Sequence, residues 1–296
     1  MSAESHRTQI SMIDTVSALL PIVTAVIRDR PLLYMHLEGE DFDRGRMLSV
    51  ITFYIPSKNV IYLFDILILK ERAFTAIDND GNSLKTILES PSLTKVVFDI
   101  RHGSDTLAFC YQTFVKGIRN IQLMESGSRW SNRYVLARIG ACVMRDSTIP
   151  VELQKEWGRV CDRGVKLFHP VCHGRRMIFN ERPLPRDITK FLVAQVMVLP
   201  DLFNVYCMKL EGPDDAEWRE RIEQATRYWL VLSQRPNTHH EEIKSYNAPW
   251  DRKFFRAVDV FAPEDGVDYG VSCEHDVPMD DEYGLECFEK VWKAIT

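Results

Sequence analysis

Apolar residues recur at Val16, Leu19, Leu20, Val23, Val26 and Ile27, the spacing of one helix face behind Asp14 or Thr15 as N-cap. Pro31 ends that helix, and residues 32–37, 47–55 and 60–64 then read as strands, joined by a polar loop containing Gly45 and a turn at residues 56–59. A helical stretch around residues 84–88 precedes a buried strand at 95–100, a helix from about 104 to 114 and a fifth strand at 121–124. Antiparallel strands followed by strand, helix and strand predict an α/β fold with a mixed five-stranded sheet flanked by helices. The remainder reads as mostly helical, with the strongest periodicity over residues 186–209 and 214–232. After Ser233 the pattern weakens.

Length and composition narrow the class. The 296 residues, 45% hydrophobic and 27% charged, have room for one large domain or two smaller ones and exclude disordered, collagen-like and membrane-spanning classes. The apolar run at residues 15–27 is interrupted by Ser17, Pro21 and Thr24 and lacks a basic leader, so it reads as a soluble helix. Seven cysteines lie no closer than eleven residues apart, which removes CxxC zinc and redox motifs and predicts a reducing intracellular compartment, nucleus or cytoplasm. Residues 263–296 carry ten acids against Lys290 and Lys293, so a tail of charge −8 follows a body of +3 within the net −5. A modestly basic body permits nucleic-acid binding; local clusters of Lys and Arg decide it.

Three segments carry a family resemblance: Leu33-Tyr34-Met35-His36-Leu37-Glu38-Gly39, residues 95–107 around Asp99-Ile100-Arg101-His102-Gly103, and Phe191-Leu192-Val193-Ala194-Gln195-Val196, the last approached through Phe179-Asn180-Glu181-Arg182-Pro183-Leu184. Taken in order and spacing, from about residue 13 to 206, they resemble the 3′-5′ exonuclease domain of the DEDD group, in its tyrosine-bearing (DEDDy) form. The resemblance implies a ribonuclease H-like fold and four carboxylates holding two divalent ions, Mg²⁺ or Mn²⁺, with a tyrosine positioning the attacking water. Carried over position by position, the first Asp is His36, the Glu is Glu38, the second-motif Asp is Gly103, the Tyr is Phe191 and the last Asp is Gln195. Only Glu38 survives.

Two-metal hydrolysis needs anionic ligands to offset the repulsion of paired divalent ions. Glu38 alone leaves such a pair at +3, and a histidine nitrogen at position 36 restores no charge. Residues three, four or seven away from Gln195 are Ile188, Phe191, Leu192, Val198, Leu199 and Leu202, with no acid among them. Asp105 and Asp201 fall on other helix faces, which leaves Asp99, Glu40, Asp41 and Asp43 as the only spare carboxylates.

The expected organisation is a leader at 1–12, an exonuclease-like domain at 13–210, a helical extension at 211–262 and an acidic tail at 263–296. The expected function is single-stranded RNA or DNA binding without catalysis, with no cofactor. Two alternatives stand beside it: an active Mg²⁺- or Mn²⁺-dependent 3′-5′ exonuclease with a rearranged site, and a scaffold binding a protein partner through its acidic tail. Arg101, Arg129, Arg133, Arg175, Arg176 and Arg182 are the candidate phosphate contacts, with Trp130 and Tyr134 available for stacking. Glu38 also reads as a buried acid bonded to His36, and His36, Glu38 and His102, or His169-Pro170-Val171-Cys172-His173, as transition-metal ligands. His239 and His240 read as solvent-facing.

Overall fold

A computed structural model describes residues 8–40, 47–234 and 247–250. In chain order its main elements are β1 (Gln9–Ile13), α1 (Val16–Asp29), β2 (Leu33–Glu40), β3 (Met47–Ile55), β4 (Val60–Asp65), α2 (Ile66–Leu69), α3 (Arg72–Thr75), α4 (Leu84–Glu89), β5 (Lys95–Val97), α5 (Arg101–Tyr111), β6 (Ile118–Asn120), α6 (Ile121–Ser128), α7 (Ile139–Asp146), α8 (Val151–Phe168), α9 (Arg186–Met197), α10 (Leu199–Lys209) and α11 (Ala216–Ser233). The acidic tail, Asp41, Asp43, His239 and His240 lie outside the described residues.

The sheet runs β1-β4-β3-β2-β5-β6. Strands β2, β3 and β4 are antiparallel neighbours, while β1 joins β4, and β5 joins β2 and β6, in parallel. The sheet therefore has six strands where the sequence reading gave five. Two strands are new: β1 at residues 9–13, mostly within the expected leader, whose five-residue length carries little periodicity to read, and β6 at residues 118–120, just before the run expected to be the fifth strand.

Three further expectations change. Residues 121–124 are helical, because the Asn120 side chain accepts a hydrogen bond from the Gln122 N–H (3.1 Å) and caps α6 where β6 ends. Helix α5 begins at Arg101, three residues before its expected start, which places Gly103 in its first turn. The periodic run 186–209 divides at Val198 into α9 and α10, with Pro200 in the first turn of α10 supplying no N–H to a continuous ladder. That run is the one described helical stretch long and apolar enough to cross a membrane, and two thirds of its apolar window is buried inside the fold.

Period-two alternation in β2 sends its side chains to opposite faces. Leu33 and Met35 join the apolar layer under α1 and α4, whereas Tyr34 joins the layer beneath α8, α9 and α10. His36 and Glu38 continue the Tyr34 face, and Leu37 the other. A register shift between Glu38 and Gly39 breaks the pairing with β3 there, and a Cβ at Gly39 would lie 2.0 Å from the Met47 carbonyl oxygen. Only glycine fits that crossing, so the bulge that aims Glu38 is written into residue 39.

Candidate functional site

The carboxyl ends of β2 and β5 and the start of α5 enclose a cleft lined by His36, Glu38, Asp99, His102, Gly103 and Arg176, with Met35, Leu37, Val97 and Phe98 as its apolar wall. It encloses about 180 Å³ of water-sized space and opens to solvent, smaller than the roughly 300–1,000 Å³ of small-molecule sites. The first two motifs of the sequence reading therefore meet in space. The third borders them through Phe191, whose ring packs edge-on to His36 with centroids 6.3 Å apart.

Each family position has a definite environment. His36 Nε2 lies 3.4 Å from Glu38 Oε1, and Arg176 Nη1 lies 3.5 Å from Glu38 Oε2. The Arg176 guanidinium also sits over the Phe168 ring at 5.4 Å. A Cβ on Gly103 would meet the Leu37 side chain at 3.3 Å, so the space beyond Gly103 is filled by the opposite face of β2. Phe191 rests on Gly164 of α8, where a Cβ would come within 2.6 Å of the Phe191 Cβ and 2.8 Å of its ring, and packs against Phe168. Gln195 turns away into the helical layer, where its Nε2 donates to Cys161 Sγ at 3.4 Å. Burial there pushes the Cys161 thiol above its ordinary range, which keeps it protonated.

Neither described spare acid lies free in the cleft. Asp99 has φ of +63° and receives both Arg101 Nε (2.9 Å) and Nη2 (2.7 Å), together with the Arg101 backbone N–H (3.1 Å). Burial works to raise the Asp99 pKa, but the Arg101 guanidinium and N–H outweigh it and hold the carboxyl below its ordinary value. Arg101 in turn lies over the Trp229 ring of α11 at 4.2 Å. Glu40 accepts a hydrogen bond from Asn180, whose amide oxygen accepts from Ser49 (2.6 Å).

This donor set does not fit two divalent ions. One carboxylate with a guanidinium against it, an imidazole, a glycine, a phenyl ring and an amide bonded elsewhere supply neither the charge nor the oxygens. His169 Nδ1 accepts the Val171 N–H, and no group of three His, Cys, Asp or Glu placed to hold a metal occurs among the described residues.

The six candidate arginines separate by partner. Arg101 is committed to Asp99; Arg129 to the buried Glu125; and Arg182 to Asp65 and the carbonyls of Phe179 and Glu181. Arg133 stacks on Trp218 at 3.9 Å. Arg175 is exposed, and Arg176, 36% exposed in its side chain, faces the cleft. The Glu125–Arg129 pair was readable as an i, i+4 spacing, whereas the contacts of Arg101 with Trp229 and of Arg176 with Glu38 join segments more than a hundred residues apart.

No family model matches the sequence, and no characterised protein matches it in sequence. The fold does match solved structures. RNase D of Trypanosoma brucei in complex with RNA U12 superposes with a TM-score of 0.64 at 16% identity, over 86% of this chain and 80% of that one. The same enzyme with GMP gives 0.61 at 17% identity over 77% of this chain, which spans 65% of that one. Escherichia coli RNase D, an exoribonuclease involved in structured RNA processing, gives 0.54 at 18% identity over 77% of this chain and 51% of that one. The chain thus shares the ribonuclease H-like fold of these 3′-5′ exonucleases, with a cleft in which Arg176 stands against Glu38.

Proposed function

We propose that this protein binds single-stranded nucleic acid in the cleft at the ends of β2 and β5 and does not hydrolyse it. The observation that carries the reading is the state of Glu38: its carboxylate faces the Arg176 guanidinium at 3.5 Å, with the His36 ring beside it but not hydrogen-bonded to it, while the nearest spare acid, Asp99, is held by Arg101. Hydrolysis through two metals would need several carboxylates directed at one point. Binding needs less. Arg176 has donors beyond the one directed at Glu38, and exposed Arg175 and Lys166 lie on the segment leading to it, a cationic edge suited to a phosphate backbone. The fold neighbours solved with RNA and with GMP make RNA the first probe. A rearranged, active site would require Asp99 to leave Arg101, and that pairing argues against it.

The test is a pair of measurements on one end-labelled single-stranded RNA. Incubation with Mg²⁺ or Mn²⁺ leaves its length unchanged, and binding in a chelator persists but weakens steeply with salt. Arg176→Gln weakens that binding several-fold and lowers the salt slope by roughly one phosphate contact, about 0.7 on a log–log plot. Metal-dependent shortening that Glu38→Ala abolishes would sink the reading.

A further inference from the structure

The loop between α6 and α7, residues 129–138, reads Arg-Trp-Ser-Asn-Arg-Tyr-Val-Leu-Ala-Arg and contains three arginines and no acid. Its backbone is held from beneath. Arg129 pairs with the buried Glu125 and donates to the carbonyls of Asn132 and Val135, both at 2.8 Å. Asn132 takes the left-handed turn at φ of +58°, a conformation asparagine tolerates. Ser126 and Trp250 donate to the Arg133 carbonyl, the Ala248 N–H to that of Tyr134, and Val135 bridges to Asn247.

A loop so fixed still displays its aromatic residues. Trp130 is 99% exposed and Tyr134 63% exposed. An exposed indole on a braced backbone is an apolar face whose ordering cost has largely been met before any partner arrives. The surrounding charge selects the partner. Glu125 neutralises Arg129, but Arg138 is exposed and forms no ion pair among the described residues, and Arg133 lies over Trp218 without one. Exposed rings on a loop that also carries Arg138, without an ion pair among the described residues, and Arg133, whose charge Asp215 only partly offsets, match an unpaired base between phosphates, whereas an apolar protein face would leave Arg138 without a counter-charge.

We propose that residues 129–138 form a second single-strand site, in which a base stacks on Trp130 and Arg138 and Arg133 meet the flanking phosphates. It is separate from the cleft reading, because none of its residues lines that cleft.

The experiment uses the full chain and fluorescently labelled single-stranded oligonucleotides of one length, one with bases and one abasic. Trp130→Ala weakens binding of the strand with bases about five-fold or more, consistent with the roughly 1–3 kcal/mol of a stacked base, and Trp130→Phe retains most of it. The abasic strand binds Trp130→Ala and the unaltered protein equally. Arg176→Gln, by contrast, weakens both strands alike. If Arg176→Gln has no effect while Trp130→Ala does, the cleft reading fails and the loop proposal stands. Equal affinity of Trp130→Ala and the unaltered protein for the strand with bases overturns it. So does failure of the unaltered protein to bind any single strand, the result expected if Trp130 serves a protein partner.

Discussion

Removing the Arg101 guanidinium tests the central electrostatic claim about the cleft. Arg101 is 5% exposed, makes two side-chain hydrogen bonds to Asp99 and covers the Trp229 ring. Arg101→Ala leaves the mostly buried Asp99 without its main counter-charge, keeping only weaker partners such as the backbone N–H of residue 101 and His102. Breaking a buried pair from one side costs about 3–5 kcal/mol, and the lost stacking on Trp229 falls within that range. Against a typical domain stability of about 5–15 kcal/mol, the midpoint of urea unfolding, followed by circular dichroism, should drop substantially. Arg101→Ala with Asp99→Asn should recover part of the loss, since the amide carries no charge and asparagine accepts the left-handed backbone. The sign with pH follows from the depressed Asp99 value: the pairing stabilises the fold above the ordinary carboxylate range and is lost as pH falls through the folded-state value. Arg101→Ala should therefore lose less stability on acidification than the unaltered protein. A loss below about 1 kcal/mol for Arg101→Ala, with no recovery from Asp99→Asn, would refute the reasoning.

Three other outcomes follow from the same contacts. Gln195→Leu should change stability by less than about 1 kcal/mol in urea unfolding, because the amide's partner is a weakly accepting thiol and its surroundings are apolar. Gly103→Asp should destabilise by about 1–3 kcal/mol through its 3.3 Å approach to Leu37, and Leu37→Ala in the same chain should offset the clash, read by thermal unfolding of the single and double variants. Lys95 is fully buried, donates to the carbonyls of Ile87 and Ser90, and is pushed down by burial to a pKa of about 7. Between pH 7 and 9 the unfolded chain then binds more protons than the folded one, so stability should rise with pH at up to about 1.4 kcal/mol per unit, and Lys95→Met should flatten that rise.

The strands were legible as apolar runs bounded by turn signals: the expected boundaries of β3 match, and those of β2, β4 and β5 fall within three residues. Of the candidate motif residues, His36, Glu38 and Gly103 come together at the ends of β2 and β5, while Phe191 borders them and Gln195 turns away. The counter-charges were not. Arg176 reaches Glu38 from a segment 138 residues away, and Trp229 stabilises Arg101 from a helix beyond the expected 13–210 unit. Alternation within one segment says which face a side chain takes, and nothing in it says which cation arrives from another. Apart from Arg129, whose i, i+4 spacing from Glu125 is visible, the candidate arginines look alike in sequence, although Arg101 and Arg182 are spent on Asp99 and Asp65. Helices α7 and α8 had no strong expectation, and it is α8 that supplies Gly164 and Cys161 to the packing of the third motif.

The contact between Arg176 and Glu38 changes how the site relates to its surroundings. A carboxylate cluster neutralised by dissolved ions is answerable to their supply: its occupancy rises and falls with free metal, and a chelator empties it. Glu38 draws its positive neighbour from its own polypeptide, at an effective concentration set by the fold. If the cleft binds without metal, as proposed, this counter-charge is inherited at synthesis and does not vary with the magnesium supply, and a substitution at Arg176 is what would remove it.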